Sequence, residues 1–377
     1  MRLLFVNGSR GEWGYLRPLI KECLRRGVDY HICATNMVLL PAYGSLIDEI
    51  KAEGLNVSDE IFMSLEGHNH FTMVKSLSVF LASFVDVLRR VKPTWLVLAG
   101  DRGEQLMAAI AAAYTYIPTA HIQAGERSGN IDGVARHAIG KFVHLHLAAN
   151  QDAADRLVNL GEEEFRVHMV GAPQLDELVD EKVANNDELL ARHAIDTRSP
   201  YLLVVQHPVT EEMDQARVQA TELVRALRAF DMPKVWVLPN NDAGSGVVRS
   251  VLVEERTSDV YLYDNMTRRD YLGFMKSCVA MVGNSSSGLL EAPTFGVPAV
   301  NLGRRQADRI KGKNVIDAPF DVQAIITAIK EAMSPEFRAS LKDCENPYGD
   351  GRSAPRVLDI LAKTKIDDRL LIKRTTV

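Results

Sequence analysis

Short apolar runs alternate with segments of helical period along almost the whole chain. In the first half, residues 3–7, 30–35, 95–99, 120–123 and 144–148 are strand-length runs rich in Val, Ile, Leu and Ala, with 166–170 after them. Near-continuous apolar character, as opposed to strict alternation, marks strands covered on both faces. Between them, residues 15–26, 73–91 and 103–116 carry apolar side chains at helical spacing. A second series follows, with strands at 201–206, 234–238, 260–263, 279–282 and 299–302 and helices within 211–230 and 268–277. This alternation predicts parallel sheets built from βαβ units. The breaker cluster Gly171-Ala172-Pro173 separates the two series. The expected fold class is therefore α/β, with two Rossmann-like, doubly wound domains over residues 1–172 and 173–354. The basic end, residues 373–377, reads as solvated.

Composition narrows what such a scaffold binds. With 377 residues, 46% of them apolar and 25% charged, the chain can bury two cores. A formal charge of −5 gives no overall attraction to nucleic acid or an anionic membrane, so a polyanion site must be a local cluster of Arg or backbone amides. A small phosphorylated ligand is the expected partner. Cys23, Cys33, Cys278 and Cys344 lack metal-ligand spacing, and no metal is expected. The longest unbroken apolar stretch, 106–113, is too short for a bilayer, and a cytoplasmic protein with reduced thiols is the expectation.

In open α/β sheets the chemistry gathers where strands run into helices at the carboxyl edge. After the first strand stands Asn7-Gly8-Ser9-Arg10-Gly11-Glu12-Trp13-Gly14, which is not a dinucleotide fingerprint; Ala34-Thr35-Asn36 also supplies no acid after the second strand, so NAD is disfavoured. The turn is either a plain tight connection or one whose amides and Arg10 face a phosphate. Asp101 and Arg102 follow the 95–99 strand. Gln123, Glu126, Arg127, Asp132 and Arg136 crowd the loop after 120–123, a density of convergent carboxylates suited to acid/base chemistry, with helix capping as the alternative. In the second half, His207-Pro208-Val209-Thr210, Pro239-Asn240-Asn241-Asp242 and Gly283-Asn284-Ser285-Ser286-Ser287-Gly288-Leu289-Leu290-Glu291 occupy the matching places, with Arg304, Arg305 and Arg309 after the next strand. The serine turn reads as a phosphate cradle opening a helix, with Glu291 two turns on facing ribose hydroxyls.

Taken together, Gly8-Ser9-Arg10, Gly100-Asp101-Arg102, His121-Ile122-Gln123-Ala124-Gly125-Glu126, Arg136-His137, His207-Pro208-Val209-Thr210, Pro239-Asn240-Asn241-Asp242, Gly283-Asn284-Ser285-Ser286 and Gly303-Arg304-Arg305-Gln306 resemble, in order and spacing, the hydrolysing UDP-N-acetylglucosamine 2-epimerases of sialic- and legionaminic-acid biosynthesis. The resemblance runs from about residue 3 to 320. It implies a glycosyltransferase-B-type fold with the active site in the interdomain cleft, and a C-terminal helix and tail, 355–377, returning to the first domain. It implies chemistry without metal or cofactor, in which C2 loses its proton, the nucleoside diphosphate leaves C1, and water adds to a glycal to give the free 2-epimer. Asp101 and Asp132 match family catalytic carboxylates, with Glu126 beside them. Arg10, Arg102, Asn240, Ser285, Ser286, Glu291 and Arg305 match nucleotide- and phosphate-contacting positions. His207 stands at a position for either nucleotide contact or leaving-group stabilisation. A homo-oligomer, dimer or tetramer, is also implied.

The chain departs from the pattern at Gln123, where the family carries glutamate; at Val38, where histidine is common; and at Gly133, where a second aspartate is common. Gln123 hydrogen-bonds but abstracts no proton. A more apolar pocket suits a deoxygenated sugar, so a 2,4-diacetamido-2,4,6-trideoxyhexose nucleotide competes with UDP-N-acetylglucosamine as the expected substrate. Two other classes remain open on sequence: a glycosyltransferase of the same fold, and a nucleotide-sugar-binding protein whose catalysis was lost with the carboxylate at 123.

Overall fold

Leu3 and Phe5 face one side of the first strand and Leu4 and Val6 the other, and all four are fully buried. The same two-sided burial recurs in Leu202 and Val204 against Leu203 and Val205. Strands of this kind need helices on both faces, and the computed structural model, which describes residues 1–376 except 67–69, 129–130, 181–182 and 240–243, supplies them. The chain forms two compact units, one comprising Met1–Arg127, Ile131–Val179 and Tyr348–Val377, the other essentially Asp180–Pro347.

The first unit holds a seven-stranded parallel sheet of β1 (Arg2–Asn7), β2 (Asp29–Thr35), β3 (Val57–Ile61), β4 (Trp95–Ala99), β5 (Thr119–Ile122), β6 (Leu145–Ala148) and β7 (Val167–Met169), in the order β3-β2-β1-β4-β5-β6-β7. The second holds β8 (Leu202–Val205), β9 (Lys234–Val237), β10 (Val260–Tyr263), β11 (Ala280–Gly283), β12 (Ala299–Leu302) and β13 (Val315–Ala318), ordered β10-β9-β8-β11-β12-β13. Both sheets are Rossmann-like, and in each the winding reverses once, between β1 and β4 and between β8 and β11. Such reversals leave a crevice at the carboxyl edge.

Gly171 and Ala172, the expected junction, lie inside the first unit, where Ala172 N–H donates to Tyr348 O at 2.8 Å. The helix Ser353–Lys363 belongs to the same unit, its Ala354, Val357, Leu358 and Leu361 packed in one core with Leu16, Leu19, Ile20 and Cys23. The basic end is not simply solvated. Lys373 Nζ reaches Glu162 Oε2 at 2.5 Å, and the buried Arg166 donates to Leu370 O and Arg369 O at 2.7 and 2.8 Å, capping the last helix, Asp368–Leu371. Sequence polarity could not show this, because the counter-charge is 211 positions away in the chain.

Among the described residues, one helix, His70–Val91, is long and apolar enough to cross a membrane by length and composition. Phe80, Phe84, Val87, Leu88 and Val91 pack into the core, whereas Phe71, Met73, Val74 and Val85 are exposed. Ser76, Ser78 and Ser83 interrupt its apolar run, which hid it from a search for unbroken stretches.

Candidate active site

The reversal between β1 and β4 is closed by one amide. Gln105, fully buried, donates from Nε2 to Val6 O at 3.1 Å and accepts from Ala99 N–H at 3.3 Å, tying the two strand ends together. Helix Arg10–Arg26 begins directly after β1, with Ser9 as its cap: Ser9 Oγ accepts from Glu12 N–H at 3.2 Å. The carboxylate of Glu12 turns back to Gly8 N–H at 2.5 Å, a capping box displaced by one residue. Residues 10–14, expected as a turn, are thus helical. The glycines at 11 and 14 concealed the helix start, and the cap overrode their weak propensity.

Beyond β4, Asp101 pairs with the buried Arg136, which also donates from Nη1 to Gln123 O at 2.6 Å. One guanidinium therefore joins the loops after β4 and β5. His121, fully buried, donates from Nε2 to Gly100 O at 2.6 Å; burial pushes its imidazole down to about 3, so it is a neutral strut and no acid or base. Gln123 has φ of +60°, a left-handed conformation that costs a non-glycine residue about 1 kcal/mol. Its buried side chain lies against Gln174, Nε2 to Oε1 at 3.4 Å. Backbone strain of this sort gathers at functional sites. Glu126, 3% exposed, accepts from Asn150 Nδ2 at 2.7 Å, and Arg156 Nη1 donates to Gly125 O at 2.7 Å, so the loop is clamped onto helix Gln151–Asn159. Asp132, half-buried, stands in the first turn of helix Ile131–Phe142.

The second reversal is closed by Asn284. Its side chain accepts from His207 N–H at 2.8 Å and donates to His207 O at 2.9 Å, binding the end of β8 to the end of β11. Gly283 makes this possible: its φ is +132°, and a Cβ there would overlap Val205 O. The carbonyl of Asn284 receives Arg305 Nη1 at 3.2 Å and Gln306 Nε2 at 3.0 Å. Ser285 and Ser287 share a hydroxyl contact at 2.8 Å, and Tyr271 Oη sits 2.5 Å from Ser287 Oγ, burial raising that phenol above its ordinary range. Half-buried Ser286 stands at the start of helix Ser287–Leu290, where its side chain makes no capping hydrogen bond. That helix is a single turn, continued as 3₁₀ over Ala292–Phe295, because Pro293 supplies no N–H to prolong it. Glu291 is accordingly at the end of the first turn, not two turns in, and its carboxylate pairs with Arg268 Nη2 at 2.6 Å.

A model of the family "UDP-N-acetylglucosamine 2-epimerase" matches residues 21–362. The chain belongs to that family. The epimerase is 34% identical over 375 residues, 99% of its own length and 98% of the relative's, to a protein of Legionella pneumophila named UDP-N,N'-diacetylbacillosamine 2-epimerase (hydrolyzing). A Campylobacter jejuni protein named GDP/UDP-N,N'-diacetylbacillosamine 2-epimerase (hydrolyzing) is 29% identical, covering 89% of this chain and 88% of that one. Among solved structures, UDP-GlcNAc 2-epimerase from Neisseria meningitidis, bound to UDP-GlcNAc, shares the fold with a TM-score of 0.83 at 20% identity, over 97% of this chain and 100% of that one. The fold class expected from sequence is thereby shown.

Within the epimerase, the structure brings Asp101, Gln123, Glu126 and Asp132 to the carboxyl edge of the first sheet, and His207, Ser285, Ser286, Glu291 and Arg305 to that of the second. Asn240 lies outside the described residues. Arg10 is engaged by Glu49 at 3.0 Å and Arg102 by Glu104 at 3.4 Å. Sequence reasoning passed over Glu12, Glu104, Gln105, Arg136 as the partner of Asp101, and Arg268. The Ser9-x-x-Glu12 spacing was the one available signal for Glu12. Among the described residues, no group of three or more His, Cys, Asp or Glu side chains is placed to hold a metal ion.

Proposed function

We propose that this epimerase is of the hydrolysing type and converts a UDP- or GDP-linked 2,4-diacetamido-2,4,6-trideoxyhexose to the free 2-epimer and nucleoside diphosphate. The observation that carries the reading is the near full-length 34% identity to the Legionella protein of that name. In this proposal the second unit takes the nucleoside diphosphate, with Ser285, Ser286, Arg305 and Asn240 as donors, and Glu291 takes the ribose. The first unit supplies the carboxylates, Asp101, Glu126 and Asp132, and Arg10 and Arg102 face the phosphates.

The reaction has two halves. A carboxylate removes the C2 proton, the C1–O bond breaks, and the diphosphate leaves with that electron pair, giving a 2-acetamidoglycal. Water then adds at C1 while C2 is reprotonated on the opposite face. Arginines and hydroxyl donors favour departure because they meet charge that grows as the bond breaks. His207, at the junction that Asn284 closes, is placed in the same reading to stabilise the leaving group. Gln123 holds and does not titrate, so the proton chemistry falls to the acids. A cytoplasmic location and a homo-oligomer, its contact formed by the exposed Phe71, Met73, Val74 and Val85 of helix His70–Val91, belong to the same proposal; light scattering reads the latter.

A 29%-identical Neisseria meningitidis relative named UDP-N-acetylglucosamine 2-epimerase favours that nucleotide-sugar as the second reading. Side-by-side turnover of the two UDP-sugars by the purified chain decides between them. The proposal expects at least a tenfold higher kcat/KM for the diacetamido sugar, with free sugar as product. A preference for UDP-N-acetylglucosamine removes the substrate assignment, and UDP released only when an added acceptor takes up the sugar makes the chain a glycosyltransferase.

A further inference from the structure

The two helices that leave the first reversal, Arg10–Arg26 and Gly103–Tyr114, each carry a glutamate in the first turn. Glu12 and Glu104 are both 2% exposed. Glu12 Oε2 accepts from Gly8 N–H at 2.5 Å. Glu104 Oε1 accepts from Asn36 Nδ2 at 3.1 Å and lies 3.4 Å from Arg102 Nε. It is pressed so closely on Gly8 that any Cβ at that position would overlap it. The groups that face the pair are thus Gly8, Asn36, Arg102 and Gln105, and Arg102 is the cation among them. Two buried carboxylates beside one guanidinium do not both ionise freely. Burial and then the charge of Glu104 raise Glu12 well above the ordinary glutamate range.

We infer that Glu104 is a positioning residue: seated against Gly8 and backed by Glu12, it fixes the guanidinium of Arg102 for the diphosphate of the substrate. This rests on the proposed epimerase reading. An arginine ion-paired with a buried carboxylate that other groups hold in place keeps its position before an anion arrives, so less order has to be created on binding. Asn36, from the turn after β2, holds the same carboxylate oxygen and brings a third strand end into the arrangement.

A double-mutant cycle on the full chain tests this, read by calorimetric UDP binding and by steady-state kinetics. Glu104→Gln is expected to weaken UDP binding and raise KM about tenfold, with kcat changed less than about threefold. In an Arg102→Ala background the same change should cost almost nothing further, a coupling that a merely structural role would not produce. If Glu104→Gln does not fold, Glu104→Asp, which keeps the charge and shortens the reach, takes its place in the cycle. Wild-type protein that binds UDP while the two substitutions act additively overturns the positioning role alone. Wild-type protein that binds no UDP overturns the nucleotide reading, and the inference with it.

Discussion

The two sheets solve one problem with opposite chemistry. Each reverses its winding once, and each closes the reversal with a buried side-chain amide, Gln105 in the first and Asn284 in the second. Around Gln105 stand Glu12, Glu104, Asp101 and, on the next loop, Glu126, held by Arg102, Arg136 and Asn150. Around Asn284 stand Ser285, Ser287, Tyr271, Arg305 and Gln306, mostly neutral donors. Asn7, next to the first reversal, is fully buried with neither end of its amide hydrogen-bonded, whereas both ends of Asn284 are. The lesson is that topology fixes where a crevice forms, and the first residues past each strand decide which groups each edge carries, acids at the first and mostly neutral donors at the second.

If that division is real, damage to the two edges must differ in kind. The largest effect is expected for Asp101→Asn, which keeps the shape beside Arg136 but loses the carboxylate: kcat falls about 10²–10⁴-fold, while UDP affinity measured by calorimetry stays within about threefold. A matching loss of affinity would erase the contrast. Asn284→Ala comes next. It leaves the His207 N–H and C=O without their side-chain partner, lowering stability by about 2 kcal/mol in denaturant titrations and abolishing measurable UDP binding. Gln105→Ala should cost similar stability but leave more of the UDP affinity, which sharpens the comparison.

The smallest effect is a gain. A glutamate whose folded pKa is raised, as at Glu12, gives stability that is complete below the unfolded pKa and lost as pH rises through the folded one. Glu12→Gln removes that loss, so thermal melts should show the variant more stable than wild type at pH 8, by about 1 kcal/mol. The difference should shrink toward pH 5. A variant less stable at pH 8 would show that Glu12 is ionised and needed as a charge.

Much of this was legible in the sequence where a segment's own side chains decide its structure. The interior strands β1, β4, β8 and β11 are built on apolar runs, and the polar, glycine-bearing junctions after them were legible as well. The strands β3 and β13 were not seen: both lie at sheet edges, β3 reads Val-Ser-Asp-Glu-Ile, and their burial is partial. Asp101, Glu126 and the Gly283–Ser287 turn stood out because small and charged residues interrupt apolar runs. Glu12 and Glu104 did not, since an acid in a helix's first turn ordinarily faces solvent and the dipole. Only the sheet order, which brings β1 beside β4 across 87 intervening residues, buries them together. The Lys373–Glu162 pair was invisible for the same reason.

The central claim is that carboxylates of the first unit take the C2 proton while the nucleoside diphosphate held by the second departs. Turnover of UDP-diacetamidotrideoxyhexose in deuterated water, followed by proton NMR, tests it most directly. The account predicts one UDP released per sugar, and free 2-epimer that carries deuterium at C2. Released sugar that keeps its original hydrogen at C2, or nucleotide-sugar that survives intact through prolonged incubation, would contradict it.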